Sequence, residues 1–543
     1  MHRLRGRPDL PDPADPPRRM TTVGEALIHL LEAHGVDTVF GIPGVHTIEL
    51  YRGLAASRIR HITPRHEQGA AFMADGYARA SGKLGVAFVI TGPGLTNAIT
   101  AMAQARADSI PMLVISGVNR LPTLGKGLGY LHELPDQRGM MEKVAVWSRR
   151  VSEPAELADV VDEAFARFWS GPFGPLHIEI PLDVMGLPAG RLAQRSLRSP
   201  TWKPDPGAIA AAAKLLSAAR RPVICAGGGA SHCDEILLPI AERFGAPVIT
   251  TTNARGLMHK HPLAVHASPS LKAVRALMAD ADLVLAVGTE FGPTDYDMYA
   301  DGGFVLPNNL IRIDIDEAQL ARRDATVSIR AESGMALEAL RKAMTRVSSD
   351  GSGHARAAAC RAAAWDEIGP AMQAQVRAVE AIRDALPGAL IVGDSTQPVY
   401  AANLFYDHDR AGGWFNAATG YGALGYGPPA AIGAAFARPG EPIVCLTGDG
   451  GFQFTLPEIA VAVEHNLPVI FVVWNNRGYR EIEVSMREAG VEPVGVSPAP
   501  PDFIVLAQAY GIAAERLSGA ADLGAALKRA RAKGGPALIE LMI

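Results

Sequence analysis

Short apolar runs alternate with amphipathic stretches along almost the whole chain. Residues 23–34 (VGEALIHLLEAH) place apolar side chains at helical spacing, and VDTVFGIPG after them reads as a strand running into a Gly/Pro turn. IRHIT reads as a short strand followed by a helix from Glu67. VAFVIT is a buried strand ending at Gly92-Pro93-Gly94, with a helix from about Thr96, and MLVISG is a further strand. The rhythm returns in a second unit, with strands at 221–229, 247–252, 282–288 and 310–315. A third unit has strands at 389–393, 442–447, 468–474 and 537–542. Wholly apolar strands between amphipathic helices predict an α/β fold of doubly wound parallel sheets. Segments 185–206, rich in Pro, Arg and Ser, and 347–358 (VSSDGSGHARAA) read as linkers. They divide the chain near 20–185, 200–345 and 365–543, and no short-period repeat is visible.

Length agrees with that division: 543 residues suggest three or four domains at roughly 150 residues each. The net charge of −4, from 52 basic and 56 acidic residues, argues against a nucleic-acid binder held by bulk electrostatics. Cys225, Cys233, Cys360 and Cys445 show no metal spacing and are too few for a disulfide scaffold, so they read as reduced thiols of a cytoplasmic protein. No apolar run is long enough for a transmembrane helix. Residues 1–19, rich in Arg and Pro, lack the apolar stretch of a signal peptide; they read as a disordered tail, with Met20 a candidate start.

The sharpest chemical signal lies between residues 442 and 478. The strand PIVCLT ends at Gly448-Asp449-Gly450-Gly451, a helix is expected from about Thr455 to Asn466 with Pro457 in its first turn, and PVIFVVW ends at Asn475-Asn476-Arg477-Gly478. In a right-handed βαβ unit, Asp449 and Asn476 come to the carboxyl ends of neighbouring parallel strands, the edge where open α/β sheets bind ligands. The chemistry suits a diphosphate held through Mg²⁺. Asp449 offers a carboxylate, Asn476 an amide oxygen and Gly478 a backbone carbonyl. Gly448, Gly450 and Gly451 let backbone approach phosphate.

With its flanking blocks, the GDGGF…NN stretch resembles the thiamine diphosphate motif of the acetolactate synthase and 2-oxo acid decarboxylase superfamily. Those blocks are RHEQGAAFMADGYARASG (65–82), TGPGLTNAITAMAQARADSIPMLVISG (91–117) and GYGALGYGPPAAIGAAFA (420–437). The resemblance covers essentially all of 20–543. It implies pyrimidine-binding, central and diphosphate-binding domains, with thiamine diphosphate and Mg²⁺ as cofactors. It also implies that Glu67 is the cofactor-activating glutamate, bonded to the aminopyrimidine that removes the thiazolium C2 proton. Read alone, Glu67 is a first-turn glutamate favoured by the helix dipole, with Ala70, Ala71, Ala74 and Ala78 on its inner face. The resemblance further places Leu424 as the apolar wedge between the cofactor rings. Gly422 and Leu424 backbone should meet the pyrimidine edge, Asn97 should stand in the cofactor site, and Thr396 and Gln397 should lie at the diphosphate. Segment 393–397 departs here from the Gly-Gln-His usual in acetolactate synthases. Sites in this superfamily form between subunits, so a homodimer or homotetramer is expected.

Three features bear on the substrate, a small 2-oxo acid. His46 in GIPGVH is either a helix-start histidine bonded to backbone or a proton relay, as a histidine at a similar point is in benzaldehyde lyase. Next to His132, Glu133 and Asp136 are either solvated loop acids or receptors for a guanidinium or ammonium tail. The stretch after Asn476 lacks the tryptophan that shapes the second-substrate site of acetolactate synthases. With GIPGVHTIELYRGL and LGKGLGYLHELPDQR, the chain looks most like 2-ketoarginine decarboxylases. That implies conversion of 5-guanidino-2-oxopentanoate to 4-guanidinobutanal and CO₂ in arginine breakdown; an acetolactate synthase-type carboligase is the alternative. Cys225-Ala226-Gly227-Gly228-Gly229 superficially suggests a nucleotide turn but lacks GxGxxG, so no functional nucleotide is expected there. Some relatives hold FAD or ADP at that place.

Overall fold

A computed structural model describes residues 21–171, 173–190, 202–298, 300–344 and 347–543. The expected tail 1–19, the candidate start at Met20 and residues 191–201 of the first linker lie outside the described residues.

The chain builds three six-stranded sheets, every neighbouring pair parallel. The first holds Thr38–Gly41, Arg60–Ile62, Gly85–Val89, Met112–Val118, Trp147–Arg150 and Pro175–Pro181 (β1–β6) in the order β2-β1-β3-β4-β6-β5. The second holds Pro222–Ala226, Val248–Thr250, Ala264–Val265, Leu283–Val287, Leu310–Asp314 and Val327–Arg330 (β7–β12), ordered β12-β11-β10-β7-β8-β9. The third holds Leu390–Gly393, Trp414–Asn416, Ile443–Gly448, Val469–Asn475, Ala513–Ser518 and Ala537–Met542 (β13–β18), ordered β14-β13-β15-β16-β18-β17. The first and third sheets thus repeat one strand order, a duplication that no sequence repeat announces. The α/β, doubly wound reading stands, and every strand read from sequence is present.

Three details correct the sequence reading. The helix expected from Thr96 is Pro93–Ala107, because Pro93 occupies its first turn, where a missing N–H costs nothing. The helix expected at 455–466 is broken: Asp449–Phe454 is helical, Thr455 leaves helical geometry at φ −132°, and a 3₁₀ turn Leu456–Glu458 leads into Ile459–Glu464. The second linker stops early, since a helix kinked at Gly369-Pro370 runs from Gly353 to Ala385. Its first half packs Ala357, Cys360 and Ala364 into the core of the second sheet.

One core is shared by the first and third sheets. The helix Glu67–Ser81 lies against the helix Gly427–Ala437 so closely that a Cβ on Gly76 would stand 2.0 Å from the Ala430 carbonyl oxygen, and one on Gly433 2.0 Å from that of Met73. At this seam Arg79 is buried between Asp75, at 2.7 Å, and Asp108, at 2.6 Å. The Tyr426 hydroxyl donates to Asp75, and the Thr419 hydroxyl donates to Asp108. Ala423 N–H donates to Gln104 Oε1 at 3.2 Å. The turn 419–426 is therefore held by two helices of the first unit. Arg79→Met should leave two buried carboxylates facing without a cation. Denaturant unfolding should report a loss of about 3–5 kcal/mol.

The second sheet has the strand order of dinucleotide-binding folds, with its switch point between β7 and β10. There a Cβ on Gly227 would meet the Gly288 carbonyl oxygen at 2.2 Å, and Gly229 N–H donates to that oxygen at 3.0 Å. These glycines serve the packing of two backbone turns. The four cysteines are free and buried; burial pushes the Cys225, Cys233 and Cys360 thiols up to about 12. Among the described residues, no helix is long and apolar enough to cross a membrane.

Candidate functional site

β15 and β16 pair in register from Ile443↔Val469 to Gly448↔Trp474, so the residues following each strand emerge side by side. Asp449 opens its helix and is 2% exposed, with Oδ2 buried and unpartnered. Burial pushes its carboxyl up. Of the two asparagines, Asn475 turns inward: its amide donates to Glu540 at 2.7 Å and its oxygen accepts Arg477 N–H at 3.1 Å. Asn476 faces outward. Its amide oxygen lies 2.8 Å from the Gly478 carbonyl oxygen and 3.3 Å from Asp449 Oδ1, while its nitrogen donates to Gln397 Oε1 at 2.9 Å.

Asp449, Asn476 and Gly478 thus bring three oxygen donors to one point, a carboxylate, an amide and a backbone carbonyl. Turning the amide over would point its nitrogen at Gly478 and Asp449, but would set oxygen against oxygen at Gln397. Octahedral Mg²⁺ with ligands at about 2.1 Å sets adjacent oxygens about 3 Å apart, which fits these spacings. The residues present therefore suit a divalent cation and the diphosphate it would carry.

The surroundings are built for close approach. A Cβ on Gly450 would stand 2.5 Å from the Tyr479 ring, and one on Gly451 3.3 Å from the Asp394 carboxylate. Gly448 precedes Asp449 beside the Thr396 hydroxyl, 3.0 Å from where its Cβ would lie. Thr396 is buried, and Gln397, partly buried, acts on Asn476 by fixing the way its amide points. Asp394 was not singled out from sequence, yet it ties the site together. Its carboxylate accepts N–H groups from Ser395 at 2.7 Å, Gly425 at 3.1 Å and Gly427 at 3.3 Å, and the Thr447 hydroxyl at 3.2 Å. Burial holds its carboxyl up at about 6. This clasp sets the turn carrying Gly422, exposed at φ +73°, and the half-buried Leu424 beside the end of β13.

On the first unit, Glu67 is the first residue of its helix and partly buried, with Asn97 Nδ2 donating to its Oε2 at 2.9 Å. Nearby, His46 and His132 meet edge to face with ring centroids 5.2 Å apart. His132 is held at φ +62°, a conformation uncommon outside glycine. Both Nδ1 atoms are buried and unpartnered, as are Thr91 Oγ1 and Asn119 Nδ2. His132, Thr91 and Asn119 line one crevice with Glu133. Burial, then the neighbouring His132, lower the pKa of His46. Buried Gln137 braces this crevice: it accepts Gly92 N–H at 3.0 Å and donates to the Gly117 carbonyl at 2.9 Å. Thr91 and Gln137 fall inside blocks that carry the resemblance but, like Asn119, were not singled out as site residues from sequence.

The two loop acids have local partners. Glu133 accepts N–H groups from Gly129 at 2.7 Å, Tyr130 at 3.0 Å and Leu128 at 3.3 Å. Against its partial desolvation, these bonds hold its carboxyl below the usual value. Asp136 caps the helix Gln137–Val144 through Gly139 N–H at 2.9 Å. Asp136 is exposed, and each acid uses backbone N–H groups to shape the loop that carries His132.

Comparison with known proteins agrees with this arrangement. Residues 21–140, 209–340 and 394–541 match the N-terminal TPP binding domain, the central domain and the C-terminal TPP binding domain of thiamine pyrophosphate enzymes. The chain is 43% identical over 532 residues to a probable 2-ketoarginine decarboxylase, AruI, of Pseudomonas aeruginosa, covering 97% of this chain and 94% of that protein. It is 30% identical over 558 residues to a probable acetolactate synthase large subunit of Methanococcus aeolicus, covering 96% and 91%. It is 32% identical over 524 residues to the acetolactate synthase isozyme 3 large subunit of Escherichia coli, covering 91% and 89%.

Proposed function

Because the chain belongs to the thiamine pyrophosphate enzymes, we propose that it decarboxylates a 2-oxo acid bearing a cationic tail, 5-guanidino-2-oxopentanoate, to 4-guanidinobutanal and CO₂. It is a thiamine diphosphate-dependent enzyme, and that cofactor, when bound, supplies the nucleophilic carbon and the electron sink for the departing carboxylate. The observation that carries the reading is the set of converging oxygens from Asp449, Asn476 and Gly478 at the edge of the third sheet. These three residues hold Mg²⁺ in the proposal. Gly448, Gly450 and Gly451 admit the diphosphate, with Thr396 donating to it. Leu424 and the Gly422 backbone shape the ring site.

Glu67, steadied by Asn97, is the carboxyl that would hold or exchange a proton at the cofactor's pyrimidine ring. His132 lines a narrow crevice with Thr91 and Asn119, and His46 packs against it, so that unpartnered polar atoms gather beside Glu67 where the polar end of a substrate would approach. In the proposal His46, edge to face with His132, first takes up a proton and then relays it to the reacting centre. Glu133 and Asp136 supply fixed negative charge on the loop toward which a guanidinium tail would extend. The printed name of the 43% identical relative supports this substrate.

We place unit boundaries at 20–185, 200–345 and 365–543, and infer a cytoplasmic homodimer or homotetramer whose sites lie at subunit interfaces. The test is CO₂ release from 5-guanidino-2-oxopentanoate, pyruvate, benzoylformate and branched-chain 2-oxo acids with thiamine diphosphate and Mg²⁺. The expected result is a clear preference for the guanidino acid with an aldehyde product. Preference for pyruvate with acetolactate accumulating would replace this reading with the carboligase.

A further inference from the structure

We infer that Glu458, on the diphosphate-binding unit, is a positioning residue for Glu67. The inference rests on the proposed role of Glu67. Glu458 is 1% exposed and ends the 3₁₀ turn Leu456–Glu458. Its Oε1 accepts Arg65 N–H at 3.1 Å and His66 N–H at 3.0 Å, and its Oε2 accepts Arg65 N–H at 3.0 Å. Those two residues immediately precede Glu67, and His66 is the N-cap of the helix that Glu67 opens.

A capping box would satisfy the N-cap N–H from within the same helix, through a Glu or Gln at its third position. Here the third position is Gly69, and the acceptor comes from 392 residues further along the chain. Gly69 also makes the approach possible: a Cβ there would lie 2.1 Å from Glu458 Oε1. Around Glu458 the charged neighbours are Arg65, itself paired with Glu464, and Glu67. Burial first, and the charge of Glu67 among lesser causes, hold the Glu458 carboxyl up at about 7.

The consequence is mechanical. Asp449 and Glu458 belong to one short run, helix Asp449–Phe454 and turn Leu456–Glu458, that follows directly from β15. The bond from Glu458 therefore fixes the start of the Glu67 helix relative to the diphosphate turn of the same chain. A proton transfer group displaced by about 1 Å can cost about 100-fold in rate, so the latch acts on rate through Glu67, touching no substrate itself.

The experiment compares Glu458→Ala, Glu458→Gln and Gly69→Ala with the full-length enzyme. Glu458→Ala should lower kcat about 10- to 100-fold, with KM and cofactor affinity within about threefold. In the cofactor-free protein, amide hydrogen exchange at Arg65 and His66 should quicken. Glu458→Gln keeps an oxygen that accepts both N–H groups and should recover most of kcat. Gly69→Ala, which drives a methyl group into Oε1, should follow Glu458→Ala. Unchanged kcat in Glu458→Ala, or Glu458→Gln no better than alanine, would overturn the inference. Where Glu458→Ala does not fold, full kcat in Gly69→Ala does the same. Full activity in Glu67→Gln would instead sink the role of Glu67 itself, whereas an inactive Glu67→Gln beside a fully active Glu458→Ala would sink the latch alone.

Discussion

Glu67→Gln should lower turnover about 100- to 10,000-fold, the range general acid–base groups contribute, while cofactor affinity stays within a few-fold. The two halves of this expectation come from different atoms. Asn97 Nδ2 donates to one oxygen of Glu67, and a glutamine oxygen accepts that bond equally well. The backbone of Glu67 is set by the helix it opens, which the substitution does not disturb. Shape and position therefore persist, and only the capacity to exchange a proton is removed. Decarboxylation rate measured beside a cofactor titration separates the two. A variant with normal turnover would take Glu67 out of the chemistry and reopen the assignment of the first unit.

Long strands buried along their whole length were mostly legible from sequence, and of the edge strands only the short β2 was read. β13, β15 and β16 are buried at every position and read as plain apolar runs. The edge strands β12 and β17 are largely solvent-facing, so their composition resembles a loop. β6 is buried throughout yet escaped notice, because PLHIEIP contains His177 and Glu179. Their partners, Ser116 and Ser148 for the histidine and Gln137 and Arg150 for the glutamate, sit on other segments. A buried polar residue is recognisable only once its partner is known.

The same division runs through the site. Asp449 and Asn476 could be read together because one strand–helix–strand passage fixes their spacing. Glu133 was read as either a solvated loop acid or a receptor for a cationic tail, but its bonds to three loop N–H groups depend on how the loop closes. Asp394 joins Gly425, Gly427 and Thr447, 31 to 53 residues away. No local pattern marks such a residue. The corrected start of the helix at Asp449 matters chemically as well. It puts the N-terminal end of that helix at the turn proposed to receive the diphosphate.

Asp449→Asn should move two measurements in opposite directions. Affinity for Mg²⁺ and the cofactor should fall at least about 100-fold, since the loss of partners merely supporting a metal ligand already costs 10- to 100-fold. Gly478 and Asn476 would keep two neutral oxygens, but the carboxylate facing them would be gone. The cofactor-free protein, in contrast, should gain about 1 kcal/mol in denaturant unfolding, because a buried, unpartnered carboxylate oxygen is removed. An ordinary structural aspartate would behave differently: its removal would lower stability and leave metal affinity alone. Stability bought at the expense of metal binding is the signature of a charge kept in place for a ligand, and it distinguishes a cation site from a turn shaped by glycine and aspartate alone.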